Sequence, residues 1–516
     1  MVYRGKPSPR CGRCRIRGLR CSQEKPSCAQ CIRARVDCPG YRDLRSLLFV
    51  DETKDVSIKA EKKGVTKYKT EKRGKSSRDS NQEAYRTTMI APLPDQELLF
   101  PIHEQALCFV YQNYLQKWLW LYGDGAVRDD NLALSSAITA LGLSAMANMR
   151  MSPPLMMAAR EEYTKALAAT NQNIKDPVLS KTDQTLVAVM FLGMFEVVTY
   201  TDPESIFRWM KHIEGATKLL EWRGEDQLKS SRGSHLFRLM RGQIVTHDIF
   251  KESQTSPIVI DLSQKACDSG DGSVQYADQL ANINIQLSRL CENIRCGELA
   301  DPAARIGFAL ALDAEMEAWS SSVPCKWGFE TITLPLESLN RMNSVFGIYG
   351  NKYHIYKDLY SCGVWNNWRG ARMVLHEIIL NSCNLQEEVG GDTEPSAQLF
   401  GHSKLAARSE AVMKVLIEDI CASVPYHFGI SSNQSSMESV GTNEPATVAG
   451  HILIWPLFLA ADSIFASPDL KIWVIMCLEK IGHGMGIGQA LAMANLLREG
   501  AGVRTWIQPA AALIID

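Results

Sequence analysis

A small metal-stabilised domain, a flexible linker and a large all-α domain are what the sequence predicts, on three observations. Six cysteines in the first 40 residues repeat one spacing, the sign of the charge changes near residue 90, and apolar residues recur at three- and four-residue steps from about residue 100 onward.

Cys11, Cys14, Cys21, Cys28, Cys31 and Cys38 stand at intervals of two, six, six, two and six residues, so Cys-x2-Cys-x6-Cys occurs twice. Thiols this dense point to metal. A closed structural zinc site takes four tetrahedral ligands, two separate sites would need eight, and the first histidine is His103. Six thiols therefore hold one zinc, or two with two sulfurs bridging; the shared arrangement uses both repeats equally and accounts for the duplication. Two zinc ions and six thiolates leave a formally anionic cluster. Around it lie Arg10, Arg13, Arg15, Arg17, Arg20, Lys25, Arg33, Arg35, Arg42 and Arg45, far more cation than that deficit needs, and the excess asks for an external anion. A segment of about 30 residues cannot bury an adequate core, so metal binding supplies its folding energy and the metal-free module is expected to be unfolded.

A chain of 516 residues with 46% apolar content predicts more than one domain and at least one large core. The net charge of −1 hides an asymmetry: residues 1–90 carry 23 Lys or Arg against 10 Asp or Glu, and the remainder 33 against 47. Basic residues grouped around a metal module point to nucleic acid rather than to a merely solvated tail. The nine other cysteines have no regular spacing and read as reduced core residues, and the N-terminal residues lack the apolar core of a secretory signal, so a reducing intracellular compartment is expected. Three weakly charged stretches, Asn131 to Met149, Gln184 to Phe195 and Pro445 to Ala461, imitate membrane spans. The first is diluted by polar residues, the second is too short and the third contains Pro456, so no membrane segment is expected.

After each Cys pair comes a short basic segment, Arg15-Ile16-Arg17-Gly18-Leu19-Arg20 and Ile32-Arg33-Ala34-Arg35-Val36-Asp37, read as a single helical turn rooted in metal, with Lys25-Pro26-Ser27 as the turn between the repeats. The spacing, the run Cys14-Arg15-Ile16-Arg17, the Lys25-Pro26 loop and the closing Cys38-Pro39-Gly40-Tyr41 resemble the binuclear zinc cluster family of fungal transcription factors. That resemblance implies two zinc ions bridged by Cys11 and Cys28, with Cys14 and Cys21 completing one and Cys31 and Cys38 the other. It also implies that the end of the first short helix enters the DNA major groove over a CGG triplet, because a long cationic side chain donates well to guanine O6 and N7. Arg17 and Gly18 occupy the base-reading place. Gly18 departs from the two basic residues of many relatives, so Arg17 is assigned to guanine. Arg15, Arg20, Lys25, Arg33 and Arg35 are assigned to phosphates, which set affinity and salt dependence but little sequence choice.

The expected boundaries are 8–45 for the cluster, 46–94 for a basic linker and 95–516 for the helical domain. The linker is poor in apolar residues; Lys62-Lys63 and Lys72-Arg73-Gly74-Lys75 suit nuclear import, and no sustained heptad follows the cluster. A homodimer would therefore use the large domain, or binding is monomeric. Leu107, Val110, Tyr111, Tyr114, Leu115 and Trp118 begin the helical pattern, and Asp202-Pro203 starts a helix that carries Ile206, Trp209, Met210, Ile213 and Leu220 and closes at Gly224. Similar stripes run through 134–149, 155–170, 183–199, 235–250, 277–297, 303–319, 339–360, 371–388, 403–423 and 447–466, with no convincing strand. Asp95-Gln96-Glu97 through Phe109, Leu186 through Glu196 and His212-Ile213-Glu214-Gly215-Ala216-Thr217 resemble the helical, non-catalytic regulatory domain of fungal transcription factors.

Enzyme motifs are lacking. Gly482-His483-Gly484-Met485-Gly486-Ile487-Gly488 has no following Lys-Ser or Lys-Thr and reads as a loop into a helix over 487–498; His354 and His376 read as structural; no Gly-x-Ser-x-Gly or His-Glu-x-x-His occurs. The expectation is a nuclear, zinc-dependent, sequence-selective regulator of transcription that binds double-stranded DNA and transcription co-regulators. The competing reading is a zinc-stabilised basic module that docks an acidic protein.

Overall fold

A computed structural model describes residues 10–24, 26–40, 101–115, 131–200, 204–269, 274–335, 347–390, 396–430 and 446–500. The chain divides into two units, Met1–Pro94 and Asp95–Asp516. The expected linker over 46–94, Lys25, Arg42, Arg45, Trp118 and Asp202 lie outside the described residues. In the first unit two five-residue helices, α1 (Gly12–Ile16) and α2 (Ala29–Arg33), surround the cysteines, which supply all of its buried apolar side chains among the described residues.

The second unit is helical because its apolar stripes are punctuated by capping chemistry. Asn131, Thr182, Ser230, Asp301 and Ser467 each accept, through a side-chain oxygen, a backbone N–H from the first turn of the helix that follows, and Pro153, Pro302 and Pro468 stand in first turns. In order come α3 (Ile102–Val110), which runs on as a π-turn over Tyr111–Leu115, then α4 (Leu132–Arg150), α5 (Pro153–Lys175), α6 (Asp183–Val198), α7 (Glu204–Arg223), α8 (Ser231–Lys251), α9 (Pro257–Ser269), α10 (Gln275–Arg295) and α11 (Pro302–Ser322). A hairpin of β1 (Phe329–Thr333) and β2 (Lys352–Tyr356) separates these from α12 (Leu359–Gly390), α13 (Ser396–His427), α14 (Thr447–Asp462), α15 (Pro468–Met485) and α16 (Gly488–Glu499).

Of the helix expected over 339–360, residues 339–346 lie outside the described residues, and 352–356 are corrected to a strand of that hairpin, an antiparallel pair with Phe329 opposite Tyr356 and Thr331 opposite His354. Five residues rich in aromatic and β-branched side chains carry too short a period to separate strand from helix. Helices α9 and α15 were not anticipated. Pro456 lies inside α14 without ending it. The one described helix long and apolar enough to cross a membrane, Leu132–Arg150, has 78% of its apolar window buried inside the protein and packs as a core helix.

The glycine run is also corrected. Gly482, His483 and Gly484 lie within α15, and only Gly486 and Ile487 form the turn into α16. Packing accounts for Gly482 and Gly488: a Cβ on Gly482 would collide with Leu491, and one on Gly488 would sit 2.6 Å from the Tyr200 carbonyl. Gly486 has φ +74, and its added Cβ would come 2.5 Å from the Ala145 carbonyl of α4; Asn148 donates to the Gly486 carbonyl at 2.8 Å. Gly500 ends α16 at φ +71, with no atom of the described residues within 4 Å of an added Cβ. Gly486→Ala is therefore expected to cost about 1–3 kcal/mol more than Gly500→Ala in urea unfolding, the difference being overpacking beyond the shared backbone strain.

Two buried charge clusters tie the middle helices together. Arg238 and Arg241 of α8 both donate to Asp278 of α10, and Arg372 of α12 donates through Nε to Asp313 of α11 at 2.6 Å. Burial pushes the Asp313 carboxyl up, but the His376 ring 3.4 Å away and the bonds from Arg372 outweigh it and hold it down at about 2.

Candidate metal centre and nucleic-acid interface

The 17-residue repeat folds as two copies of one turn. Leu19 N–H donates to the Cys14 carbonyl at 2.8 Å, and Val36 N–H donates to the Cys31 carbonyl at 3.2 Å, the bond that closes a helix end through a left-handed residue. That left-handed residue is Gly18 in the first copy, φ +66, and Arg35 in the second, φ +49. Gly18 thus has a backbone reason to be glycine, and it presents no side chain to a base. Between the copies Ala29 N–H donates to Ser22 Oγ at 2.8 Å, and Gly12 N–H donates to the Gly40 carbonyl at 3.1 Å, closing the module on itself.

These turns bring all six sulfurs together. Cys11, Cys14, Cys21 and Cys28 form one group and Cys11, Cys28, Cys31 and Cys38 a second, with the sulfurs of each group within 4.8 Å of one another and Cys11 and Cys28 common to both. Cys11 Sγ lies 3.6 Å from Cys28 Sγ and 3.9 Å from Cys31 Sγ, and Cys14 Sγ lies 3.8 Å from Cys28 Sγ. Four sulfurs about 2.3 Å from a tetrahedral zinc are about 3.8 Å apart, so the donor set fits the ion in type, number and spacing. Local electrostatics divide the thiols. The Cys11 backbone N–H holds the Cys21 thiol down at about 7, the Cys28 and Gly40 amides do the same for Cys38, and burial pushes Cys31 up to about 12 and Cys14 higher still. Thiols held protonated in this way must lose their protons to a metal, which couples binding to proton release.

Of the residues assigned to DNA, Arg17, Gly18, Arg20, Arg33 and Arg35 are exposed, Arg15 belongs to α1, and Lys25 lies outside the described residues. Arg17 follows α1, with its N–H donating to the Arg13 carbonyl at 3.1 Å. Arg13 itself was not singled out from the sequence. Its guanidinium reaches Cys31 Sγ of the other repeat at 4.0 Å, where a cation offsets thiolate charge, and its place between Cys11 and Cys14 is the signal that pointed there.

In the helical unit a constellation unforeseen in the sequence joins Cys362 Sγ to His427 Nε2 at 3.2 Å, with Asn366 alongside. Burial pushes the Cys362 thiol up and lowers the His427 imidazole to about 4, while His427 Nδ1 donates to the Ala449 carbonyl at 2.8 Å. Both partners are held neutral. The pair is a core hydrogen bond and not an activated nucleophile.

Residues 10–47 match the fungal Zn(2)-Cys(6) binuclear cluster domain, and residues 87–315 match the fungal specific transcription factor domain. The transcription factor dbaG of Emericella nidulans is 23% identical over 368 residues, which cover 68% of this chain and 79% of that protein. No solved structure matches the chain. The three stretches that carried the second resemblance all fall inside 87–315.

Proposed function

From a chain that joins a fungal Zn(2)-Cys(6) cluster domain to a fungal specific transcription factor domain, and is thereby a regulator of transcription, we propose the following mechanism. The module of residues 8–45 holds two zinc ions on six cysteines with Cys11 and Cys28 bridging, residues 46–94 tether it, and residues 95–516 regulate it. In the nucleus the module docks in the DNA major groove, where Arg17 donates to a guanine of a CGG-like triplet while Arg15, Arg20, Lys25, Arg33 and Arg35 meet phosphates. Zinc held by these cysteines would cross-link the two turns. The chain's own residues do the reading: each short helix ends at a left-handed residue, which leaves the adjoining basic side chains on a free surface. The observation that carries this reading is the overlap of two four-sulfur groups at Cys11 and Cys28 beneath that surface.

Gel shifts of the full chain on duplexes with single and paired CGG triplets, at several spacings and about 150 mM salt, test it. Specific complexes are expected to be at least about a thousandfold tighter than non-specific ones. Arg17→Ala is expected to leave zinc content unchanged and to relax base choice by about 1–3 kcal/mol. Equal weakening on all duplexes would reassign Arg17 to a phosphate. One observation favours docking to an acidic protein instead: Ile16 and Ile32 are 83% and 62% exposed beside the basic residues. Indifference to DNA sequence in the same gel shifts would select that reading.

A further inference from the structure

We propose that the helical unit binds a small, mostly apolar organic acid in a cavity of about 290 Å³ lined by α8, α10, α12 and α14. The volume stands at the lower end of small-ligand pockets, about 300–1,000 Å³. Its walls include Trp209, Phe250, Trp455 and Pro456, which offer a flat apolar surface to a ring system. Gly242 keeps part of it open: it lines the cavity, and a Cβ placed there meets no atom within 4 Å.

The polar groups set the sign of the ligand. The charged residues of the lining are Arg238 and Arg241, and no Asp or Glu is among them. Both arginines share one carboxylate, Asp278, which does not line the cavity, so two buried cations are balanced by one anion. Arg241 is 2% exposed and its Nε has no partner among the described residues; Asn284, 4% exposed, donates through Nδ2 to Asn367 at 2.5 Å and leaves Oδ1 without one among them. Arg238 and Arg241 together carry one more positive charge than Asp278 neutralises, and a ligand carboxylate at that wall would supply the second anion. His451 and Tyr360 complete the lining as neutral groups, since burial lowers the imidazole to about 4 and raises the phenol. A cationic amine would meet only repulsion there.

The test uses the full-length protein and three matched probes, 2-naphthoate, 2-naphthamide and 2-naphthylmethylamine, read by calorimetry and by the unfolding temperature of the helical unit. Naphthoate at about 1 mM is expected to raise that temperature and to bind at least about tenfold tighter than the amide, with no shift from the amine. Gly242→Leu fills the opening and is expected to keep helical circular dichroism while abolishing the naphthoate shift. Gln243→Glu, which adds a carboxylate to the wall, is expected to weaken naphthoate about tenfold and leave the amide unchanged. Absence of a shift from all three probes, equal binding by the amine, or naphthoate binding undiminished in Gln243→Glu would each overturn the proposal. None of these readouts involves DNA, so the outcome is separate from that of the DNA-binding reading.

Discussion

On the proposed arrangement of two zinc ions bridged by Cys28, Cys28→Ala is expected to leave the protein with no bound zinc. Cys28 belongs to both four-sulfur groups, whereas Cys14 belongs to a single group, so Cys14→Ala is expected to retain about one zinc per chain. The consequence for folding is large. Among the described residues the module's buried apolar side chains are its own cysteines, and apparent binding free energies of structural zinc, about 10–16 kcal/mol, are then the folding free energy of the module. Elemental analysis of the purified full-length variants, together with gel shifts, gives the readout. Two zincs retained in Cys28→Ala would remove the bridging role, and a single zinc in the parent protein would remove the binuclear arrangement. The helical unit should unfold at an unchanged denaturant midpoint in both variants, because its core is its own.

The second large effect belongs to the helical unit. Asp278→Ala is expected to destabilise it by about 3–5 kcal/mol, seen as a lower urea midpoint with an unchanged slope. Asp278 is fully buried and receives Arg238 Nε at 2.9 Å and Arg241 Nη2 at 2.7 Å; without it two buried guanidinium groups lose their counter-ion together. The cost arises from the stranded charges more than from the lost bonds. Replacing all three by apolar residues, as Arg238→Met, Arg241→Leu and Asp278→Leu, is therefore expected to recover much of the stability. If the triple variant proved no more stable than Asp278→Ala, the cluster's contribution would lie in its hydrogen bonds to Ser234, Ser263 and the Ala266 carbonyl.

Helical stripes were legible in the chain wherever one face is buried and the period is sustained, as in α8, α10 and α11, while the cap that begins α11, Asp301, emerged only from the structure. The signal failed where burial is local or nearly complete. The β1–β2 hairpin is too short for its period to be distinctive, and the run Gly482 to Gly488 read as a loop because the carbonyls that demand Gly486 and Gly488, those of Ala145 and Tyr200, come from distant parts of the chain. Gly18 shows the same division at smaller scale: its departure from the basic pattern was visible, but its cause, a left-handed helix end, required the bond from Leu19 to Cys14.

By itself the order of residues pointed to a thiol metal module and determined the fold classes, because thiol spacing and amphipathic period are properties of neighbours in sequence. Which cations are buried, which carboxylate they share and where a cavity opens were decided only by tertiary structure. Arg241 meets Asp278 from 37 positions away, and Asn148 meets Gly486 from 338. Contacts across such separations depend on how whole helices pack, and no local pattern of side chains records that packing.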